Sequence, residues 1–404
     1  MGPRIEVWPE GLSEQEGKVR AQAAIEIPGQ ERFVLWFDVA QAHAGLLAET
    51  CDPFPLALLF TAMSRGEAMH VHGKVSPSLL RNLGELSRVW HSWTPKRCAP
   101  VDLSADAEAR PPWAGEPRGT VMGFSGGADS SFTAWRHRAG QAGPRTRKID
   151  AALMVHGFDI PLERESEFER AVAKARAMLD SISLPLLTMA TNVRALRQRW
   201  THSWAVSLVA CLALFQRAYS TILVADEFTP DWTGPSPCGP QVEKLMSCDA
   251  FEVVSDGSPF ERVDKLRELA QWPEAMRHLR VCYQAEPRDR NCGKCGKCIR
   301  TILCFRAAGV PLPECFERDI TTRDILGRRR LREESVYLYR QLLAVARKRE
   351  PHAAWVRALG YVVLRGRLRF AWRAARERVR DLLKRAVAPF RPKRPPARDT
   401  EEPG

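Results

Sequence analysis

Residues 120–131, which read TVMGFSGGADSS, decide the fold. The apolar start of this stretch predicts a buried β-strand, and the Gly, Ser and Asp residues after it predict a tight turn into a helix. Strand and helix patterns alternate beyond it, with strands predicted at 149–156, 184–189 and 221–225 and helices at 168–179 and 203–217. Such alternation predicts an α/β fold built on a doubly wound parallel sheet.

The turn itself is suited to hold a polyphosphate. Gly126 and Gly127 let the backbone approach an anion closely, and the N–H groups of the turn and of the following helix point toward it. Three hydroxyls can add hydrogen bonds, those of Ser125, Ser130 and Ser131. Asp129 would repel a phosphate, so we expect it to hold Mg²⁺. A capped strand-to-helix turn without a ligand is the alternative.

Four cysteines lie close together in residues 281–300, VCYQAEPRDRNCGKCGKCIR: Cys282, Cys292, Cys295 and Cys298. Four thiolates with two Cys-x-x-Cys steps suit a tetrahedral Zn²⁺ ion. We expect Lys294, Lys297 and Arg300 to offset part of the negative charge of this site. An iron–sulfur cluster and four unrelated thiols are the alternatives.

With these two motifs the chain resembles the PP-loop ATP pyrophosphatases, a HUP-like superfamily with an SGGxDS signature, over about residues 118–310. The lone cysteine followed by C-x-x-C-x-x-C resembles the structural zinc site of the 7-cyano-7-deazaguanine synthase family within it. The resemblance implies that ATP is cleaved between its α and β phosphates and that a substrate is adenylated. It also implies that the strand end at Val155 and His156 contacts adenine; a core role for Val155 and a loop role for His156 are the alternatives.

Residues 260–265, FERVDK, place two cations at a predicted helix start. Arg262 and Lys265 would stabilise the charge that adenylation builds on the α-phosphate; a solvated helix with charge pairs is the alternative. Asp226 and Glu227 follow a predicted strand, and both would fix the loop there. The alternative role for Asp226 is to bind a second Mg²⁺ or the substrate.

Together with this resemblance, these residues predict an ATP-dependent carbon–nitrogen ligase with ATP, Mg²⁺ and Zn²⁺ as cofactors and Asp129, Arg262 and Lys265 as catalytic groups. A small-molecule carboxylate or carbonyl oxygen would be adenylated, and ammonia or an amine would then displace AMP. One alternative is a tRNA-modifying sulfur transferase, which would need a redox-active cluster and a pair of catalytic cysteines. The other is a non-catalytic module that binds an adenine nucleotide.

The chain has 404 residues, of which 45% are hydrophobic and 27% are charged. This composition excludes a disordered or collagen-like protein and is typical of a soluble globular one. The longest apolar run, at about 205–215, is too short to span a bilayer, and we expect a cytoplasmic protein. We predict a small α+β domain at 1–110, a linker at 111–118, a PP-loop domain at 119–320, a basic helical extension at 321–388 and a disordered tail at 389–404.

The positive charge of the chain belongs to its C-terminal part. Residues 328–404 hold 22 of the 61 Lys and Arg residues but only 8 of the 48 Asp and Glu residues, a net charge of +14, whereas the whole chain carries +13. A helical spacing of Leu368, Trp372 and Val379 runs through this basic segment. Three interpretations of this apolar face are open. It would pack on the protein body, it would lie on an anionic membrane surface, or the basic segment would bind RNA.

Overall fold

The computed structural model describes residues 3–329 and 331–387, with side chains through residue 380. The strands are β1 Arg4–Gln15, β2 Lys18–Glu26, β3 Phe33–Ala40, β4 Ala68–Val75, β5 Leu103–Glu108, β6 Gly119–Gly123, β7 Ala151–His156, β8 Leu186–Thr191, β9 Tyr219–Ala225 and β10 Glu252–Asp256. The helices are α1 Pro53–Arg65, α2 Pro77–Trp93, α3 Ala128–Arg138, α4 Glu165–Asp180, α5 Trp200–Ala213, α6 Arg262–Leu269, α7 Pro273–His278, α8 Gly296–Ala308, α9 Thr322–Leu326, α10 Glu333–Arg349 and α11 Ala354–Val387.

All ten of these strands join one mixed, mostly parallel sheet in the order β10-β9-β6-β7-β8-β3-β2-β1-β4-β5. The five strands from β6 to β10 pair only in parallel with one another. Within them the chain starts at β6, moves outward through β7 and β8, and then crosses to β9 and β10 on the other side. Every residue of β7 is buried, as in a parallel strand covered on both faces. The α/β class predicted from the sequence is confirmed.

The N-terminal strands continue this sheet. Strand β3 pairs antiparallel with β8, and the Asn192 side chain accepts from Trp36 N–H at 3.0 Å and donates to the Val34 carbonyl at 2.7 Å. Residues through Ile320 therefore form one compact unit, where the sequence predicted a separate domain at 1–110 and a linker. The physical reason is that an unpaired β8 edge would leave backbone groups exposed, and β3 covers them.

Several local predictions in the N-terminal segment are confirmed. The turn at Pro28-Gly29-Gln30 predicts strands at 18–27 and 32–39, and Asp52-Pro53 and Ser76-Pro77 predict the starts of two helices. Strands β2 and β3 and helices α1 and α2 lie at these places. Ser76 precedes α2, as expected of an N-cap, but its hydroxyl donates to Asp52 Oδ2 at 2.8 Å instead of capping the helix. The sequence reasoning missed β1, β4, β5 and β10. In β1 and β4 charged residues and histidines alternate with apolar ones, and only pairing with neighbouring strands decides their structure.

The second compact unit begins at Thr321, where the sequence placed the start of the helical extension. Its helix α11 packs against α9 and α10. Gly366 makes the close approach possible, because a Cβ there would lie 2.6 Å from Val336 Cγ2. The predicted tail at 389–404 lies outside the described residues. Among the described residues, helices long enough to cross a membrane are too polar to do so.

The outer face of α11 carries an apolar stripe that is exposed to solvent. Its members follow helical spacing and keep about half or more of their surface exposed: Tyr361, Leu364, Leu368, Trp372 and Val379. Leu368, Trp372 and Val379, whose helical spacing is visible in the sequence, all belong to this exposed stripe. The buried residues of α11, such as Leu359 and Val363, lie on another face of the helix.

Candidate functional site

The turn predicted to hold phosphate connects β6 to α3. Gly126 has a φ of +70°, a conformation that side chains other than glycine rarely adopt. The Ser125 hydroxyl accepts from Gly127 N–H at 3.2 Å, and the Ser130 hydroxyl accepts from Ser125 N–H at 3.3 Å. These bonds curl the loop around the start of α3, whose first N–H groups have no intrahelical partner. The Ser131 hydroxyl is buried and has no hydrogen-bond partner within the described part of the chain.

Asp129, in the first turn of α3, lies between the two predicted cations. Arg262 Nη1 is 2.7 Å from Asp129 Oδ2, and Lys265 Nζ is 3.3 Å from Asp129 Oδ1. Both cationic side chains are buried, and Lys265 is only 1% exposed. Burial alone would raise the pKa of Asp129, but the charges of Arg262 and Lys265 hold it well below its usual range. The structure thus brings together the three residues predicted to be catalytic.

Two further acidic residues extend this cluster from the end of β9. Glu227 Oε1 lies 2.5 Å from Arg300 Nη2 and 4.0 Å from Arg262 Nη1. Lys265 Nζ donates to the Asp226 carbonyl. Burial raises the pKa of the Asp226 carboxyl to about 6, although Lys265 and a hydrogen bond from Phe228 N–H oppose that shift. Carboxylates and cations therefore alternate where β6 and β9, adjacent in the sheet, end. A parallel sheet binds its ligands at such a point, where the strand order reverses.

Arg280 is a site residue that the sequence reasoning missed. Its N–H donates to the Gly126 carbonyl at 2.7 Å, and its guanidinium donates to the Ser125 carbonyl at 3.1 Å. Burial lowers the pKa of Arg280. The Nε atoms of Arg262, Arg280 and Arg300 are buried without a partner among the described residues. A buried, incompletely paired set of guanidinium groups favours an anionic ligand.

The side chains at the end of β7 are buried, and the adenine contact that the resemblance implies for this strand end stays a prediction. The His156 ring lies 2.9 Å from the Pro161 carbonyl through Nε2 and stacks on Phe168 with ring centroids 4.4 Å apart. The ring therefore helps to hold the following loop in place. Val155 is buried in the core. Gly157 has a φ of +94°, and a Cβ there would lie 2.0 Å from the Thr191 carbonyl oxygen, so only glycine fits this turn.

The four predicted metal ligands converge. Cys282 Sγ lies 3.5 Å from Cys292 Sγ and 3.6 Å from Cys295 Sγ, and Cys292 Sγ lies 3.9 Å from Cys298 Sγ. Around a tetrahedral zinc ion with bonds of about 2.3 Å, the sulfurs lie about 3.8 Å apart. Backbone N–H groups donate to the sulfurs, as from Cys295 to Cys292 at 3.2 Å. The cluster is positioned to hold a metal ion such as zinc.

Arginines on both sides of the cysteine cluster connect it to the charged cluster, which is formed by Asp129, Glu227, Arg262 and Lys265. Arg280 precedes Cys282 by two residues and binds the phosphate loop. Arg300 follows Cys298 by two residues, in the first turns of α8, and binds Glu227. Arg300, which we expected to offset part of the charge of the cysteine site, therefore also pairs with Glu227. Arginines flanking the cysteine motif were the available sequence signal for both residues.

Two other cysteines lie beside the charged cluster. Cys238 Sγ is 3.4 Å from Asp226 Oδ1, and burial together with that carboxylate raises its pKa well above the usual value. Burial raises the pKa of Cys304 to about 12, against the opposing charges of Arg262 and Arg300. Both groups are therefore thiols at neutral pH, whereas a nucleophilic cysteine needs a lowered pKa.

In comparisons with known proteins, no family model, curated protein or solved structure matches the chain. We therefore infer a function from the residues and geometry of the site.

Proposed function

We propose that this protein is a PP-loop ATP pyrophosphatase with a doubly wound parallel half-sheet, and that it adenylates a small molecule. The observation that carries the proposal is the buried cluster of Asp129, Arg262 and Lys265 at the start of α3, directly after the Ser-Gly-Gly turn. Turn, helix start and cations together provide donors for a polyphosphate. The loop lacks the Gly-Lys-Ser/Thr sequence of kinases and GTPases.

In the proposed reaction a carboxylate or carbonyl oxygen of the substrate attacks the α-phosphorus of ATP. The bond to the β-phosphate breaks, and pyrophosphate leaves with its electron pair. A nitrogen nucleophile, ammonia or an amine, then attacks the activated carbon, and AMP leaves with the former substrate oxygen. Arg262 and Lys265 would stabilise the charge on the α-phosphate, and Arg280 would orient the loop. For Asp129 to hold the Mg²⁺ that would neutralise the phosphates, its oxygens would exchange Arg262 and Lys265 for the ion, and the two cations would turn to the phosphates.

The proposed metal of the cysteine cluster is Zn²⁺, held by Cys282, Cys292, Cys295 and Cys298. The sulfur distances favour one ion at a common centre, since an iron–sulfur cluster spreads its cysteines around several irons. Four protein ligands leave no open position, so this zinc would be structural. Its role would be to fix Arg280 and Arg300 where they meet the loop and Glu227.

The two alternative functions make different predictions. The tRNA sulfur transferase predicts a redox-active cluster and a nucleophilic cysteine pair in the site. The non-catalytic nucleotide-binding module predicts ATP binding without turnover.

Products formed from ATP test the proposal. The full-length protein is incubated with Mg²⁺-ATP, ammonium and fractions of a small-molecule extract, and the adenine products are separated. We expect AMP and pyrophosphate in equal amounts in at least one fraction. Asp129→Asn should abolish them, whereas Asp264→Asn should not, because Asp264 lies on the exposed side of α6 and pairs with Arg267.

Three results would contradict the proposal. ADP and inorganic phosphate as products would indicate a kinase or ordinary ATPase. ATP binding with no turnover in any fraction would favour the non-catalytic module. Acid-labile sulfide together with iron in the purified protein would favour the sulfur transferase.

We also propose that α11 binds an anionic lipid surface. The exposed stripe that includes Leu368 and Trp372 lies between arginines, among them Arg365, Arg367 and Arg376. An apolar stripe between cations fits the boundary between acyl chains and acidic headgroups. RNA binding would use the arginines but would not need a continuous aliphatic stripe.

Co-sedimentation with vesicles tests this proposal. The protein should bind vesicles that contain phosphatidylserine and not vesicles of phosphatidylcholine alone, with binding that weakens as salt is added. Leu368→Ser combined with Trp372→Ser should remove the binding, whereas Leu326→Ser, an exposed leucine of α9, should not. RNA binding that survives the double substitution, or self-association that it abolishes, would contradict the proposal.

A further inference from the structure

A second cluster of metal-binding side chains lies at the far end of the sheet, on β4 and β5. His70 Nε2 lies 2.9 Å from Asp106 Oδ1, and His72 Nδ1 lies 3.5 Å from the same oxygen. The three ligand atoms all lie within 4.8 Å of one another. Ligands around a tetrahedral ion with bonds of about 2.1 Å lie about 3.4 Å apart. The cluster therefore needs only small side-chain movements to bind an ion.

In each of the two imidazoles, the nitrogen that points away from Asp106 or lies farther from it already faces another oxygen. His72 Nε2 lies 2.9 Å from Glu6 Oε2, and His70 Nδ1 lies 2.8 Å from Ser104 Oγ. A histidine that binds a metal donates its other N–H to such an acceptor, which fixes the tautomer and orients the ring. With these bonds in place, His72 Nδ1 and His70 Nε2 are the nitrogens left to coordinate an ion beside Asp106.

The backbone explains why these groups converge. His70 and His72 are two residues apart on β4, so their side chains share one face of the sheet. The register of β4 on β5 shifts there, with two residues, His72 and Gly73, facing one, Asp106. Such a bulge re-aims side chains, and His72 turns toward Asp106. Trp8 stacks on the His72 ring with centroids 3.4 Å apart and restrains it further.

We propose that His70, His72 and Asp106 form a site for a first-row divalent metal ion, with Zn²⁺ as the best-suited ion. Two imidazole nitrogens and one carboxylate oxygen are a donor set that Zn²⁺ accepts, and three protein ligands leave a position open to water. The side chain of Asp106 is 53% exposed, so an ion can enter from solvent. The site lies on other strands than the phosphate loop and does not depend on the proposed ligase function.

Zinc stoichiometry of the full-length protein tests the site. The protein is dialysed against a weak chelator and titrated with Zn²⁺ in a calorimeter, beside three variants. His72→Ala should bind one ion fewer per chain than the unmodified protein. Glu6→Gln should retain the stoichiometry and weaken the affinity about 10- to 100-fold, because it replaces the charged acceptor of His72 with a weaker, neutral amide oxygen. His43→Ala, a histidine in a different segment, should behave like the unmodified protein.

Co²⁺ separates this site from the cysteine cluster. Ions at the cysteines give intense thiolate-to-cobalt bands, whereas an ion at His70, His72 and Asp106 gives none. Asp106→Asn should also lose the ion. Because Asp106 is exposed, this variant provides a second test if His72→Ala fails to fold. The proposal is overturned if the unmodified protein and both ligand variants bind the same number of ions, or if every bound Co²⁺ shows thiolate bands.

Discussion

Replacement of Asp129 by asparagine is the sharpest test of the charged cluster. The substitution preserves the shape and one hydrogen-bond acceptor but removes the negative charge. Arg262 and Lys265 would remain buried beside it, at 7% and 1% side-chain exposure, without their common counter-ion. We therefore expect the variant to fold with reduced stability.

The magnitude follows from the distances. With an effective dielectric constant of about 20, the ion pairs at 2.7 Å and 3.3 Å correspond to attractions of about 6 and about 5 kcal/mol. Removal of the charge also relieves several kcal/mol of desolvation of the carboxylate. Loss of one partner from a buried pair then lowers the free energy of unfolding by about 3–5 kcal/mol.

Urea denaturation measures this difference, with Asp264→Asn as the matched control. Asp264 pairs with Arg267 at 2.6 Å, but both side chains are more than 40% exposed. Loss of that surface pair should lower the free energy of unfolding by less than about 1 kcal/mol.

Pyrophosphate provides a second measurement on the same variants. The two uncompensated cations of Asp129→Asn should attract it, and at 100 times its Kd it would return about 2.7 kcal/mol to the free energy of unfolding. If both aspartate variants lose the same stability and pyrophosphate protects neither, the cluster is not the anion site that we infer.

Three further predictions concern other parts of the structure. Cys295→Ser should leave the cysteine cluster without its chelator-resistant zinc and lower the thermal midpoint, because the binding energy of a structural zinc is folding energy; elemental analysis and calorimetry check this. Burial raises the pKa of Asp226 from 3.8 to about 6. The folded protein therefore holds this proton more tightly than the unfolded chain does, which stabilises the fold fully below about pH 4. This stabilisation is lost as the pH rises through about 6. Asp226→Asn should therefore stabilise the protein by about 3 kcal/mol at pH 8 but not at pH 4, as measured by urea denaturation at both pH values. Gly157→Ala should lower the free energy of unfolding by about 2 kcal/mol or more, because its Cβ would meet the Thr191 carbonyl oxygen at 2.0 Å; an unchanged unfolding midpoint would contradict this.

The sequence alone was sufficient for features that depend on neighbouring residues. The Ser-Gly-Gly turn, the strand before it and the helix after it lie within about twenty residues, where glycine conformation and apolar spacing decide the structure. The convergence of Cys282, Cys292, Cys295 and Cys298 was predictable for the same reason, since short spacing leaves few ways to arrange four thiols. Helices α1 and α2 were marked by a proline at their first turn.

Tertiary structure decided what these features contact. Asp129 and Arg262 are 133 residues apart, and Glu227 and Arg300 are 73 residues apart, so local pattern could not reveal either pair. The same holds for β3. The sequence places it in a separate domain, but in the structure it pairs with β8 and so belongs to the same sheet. Local backbone preferences select turns and helices. The pairing of distant strands depends on covering sheet edges. The burial of distant charges depends on neutralising each buried charge with a partner from elsewhere in the chain.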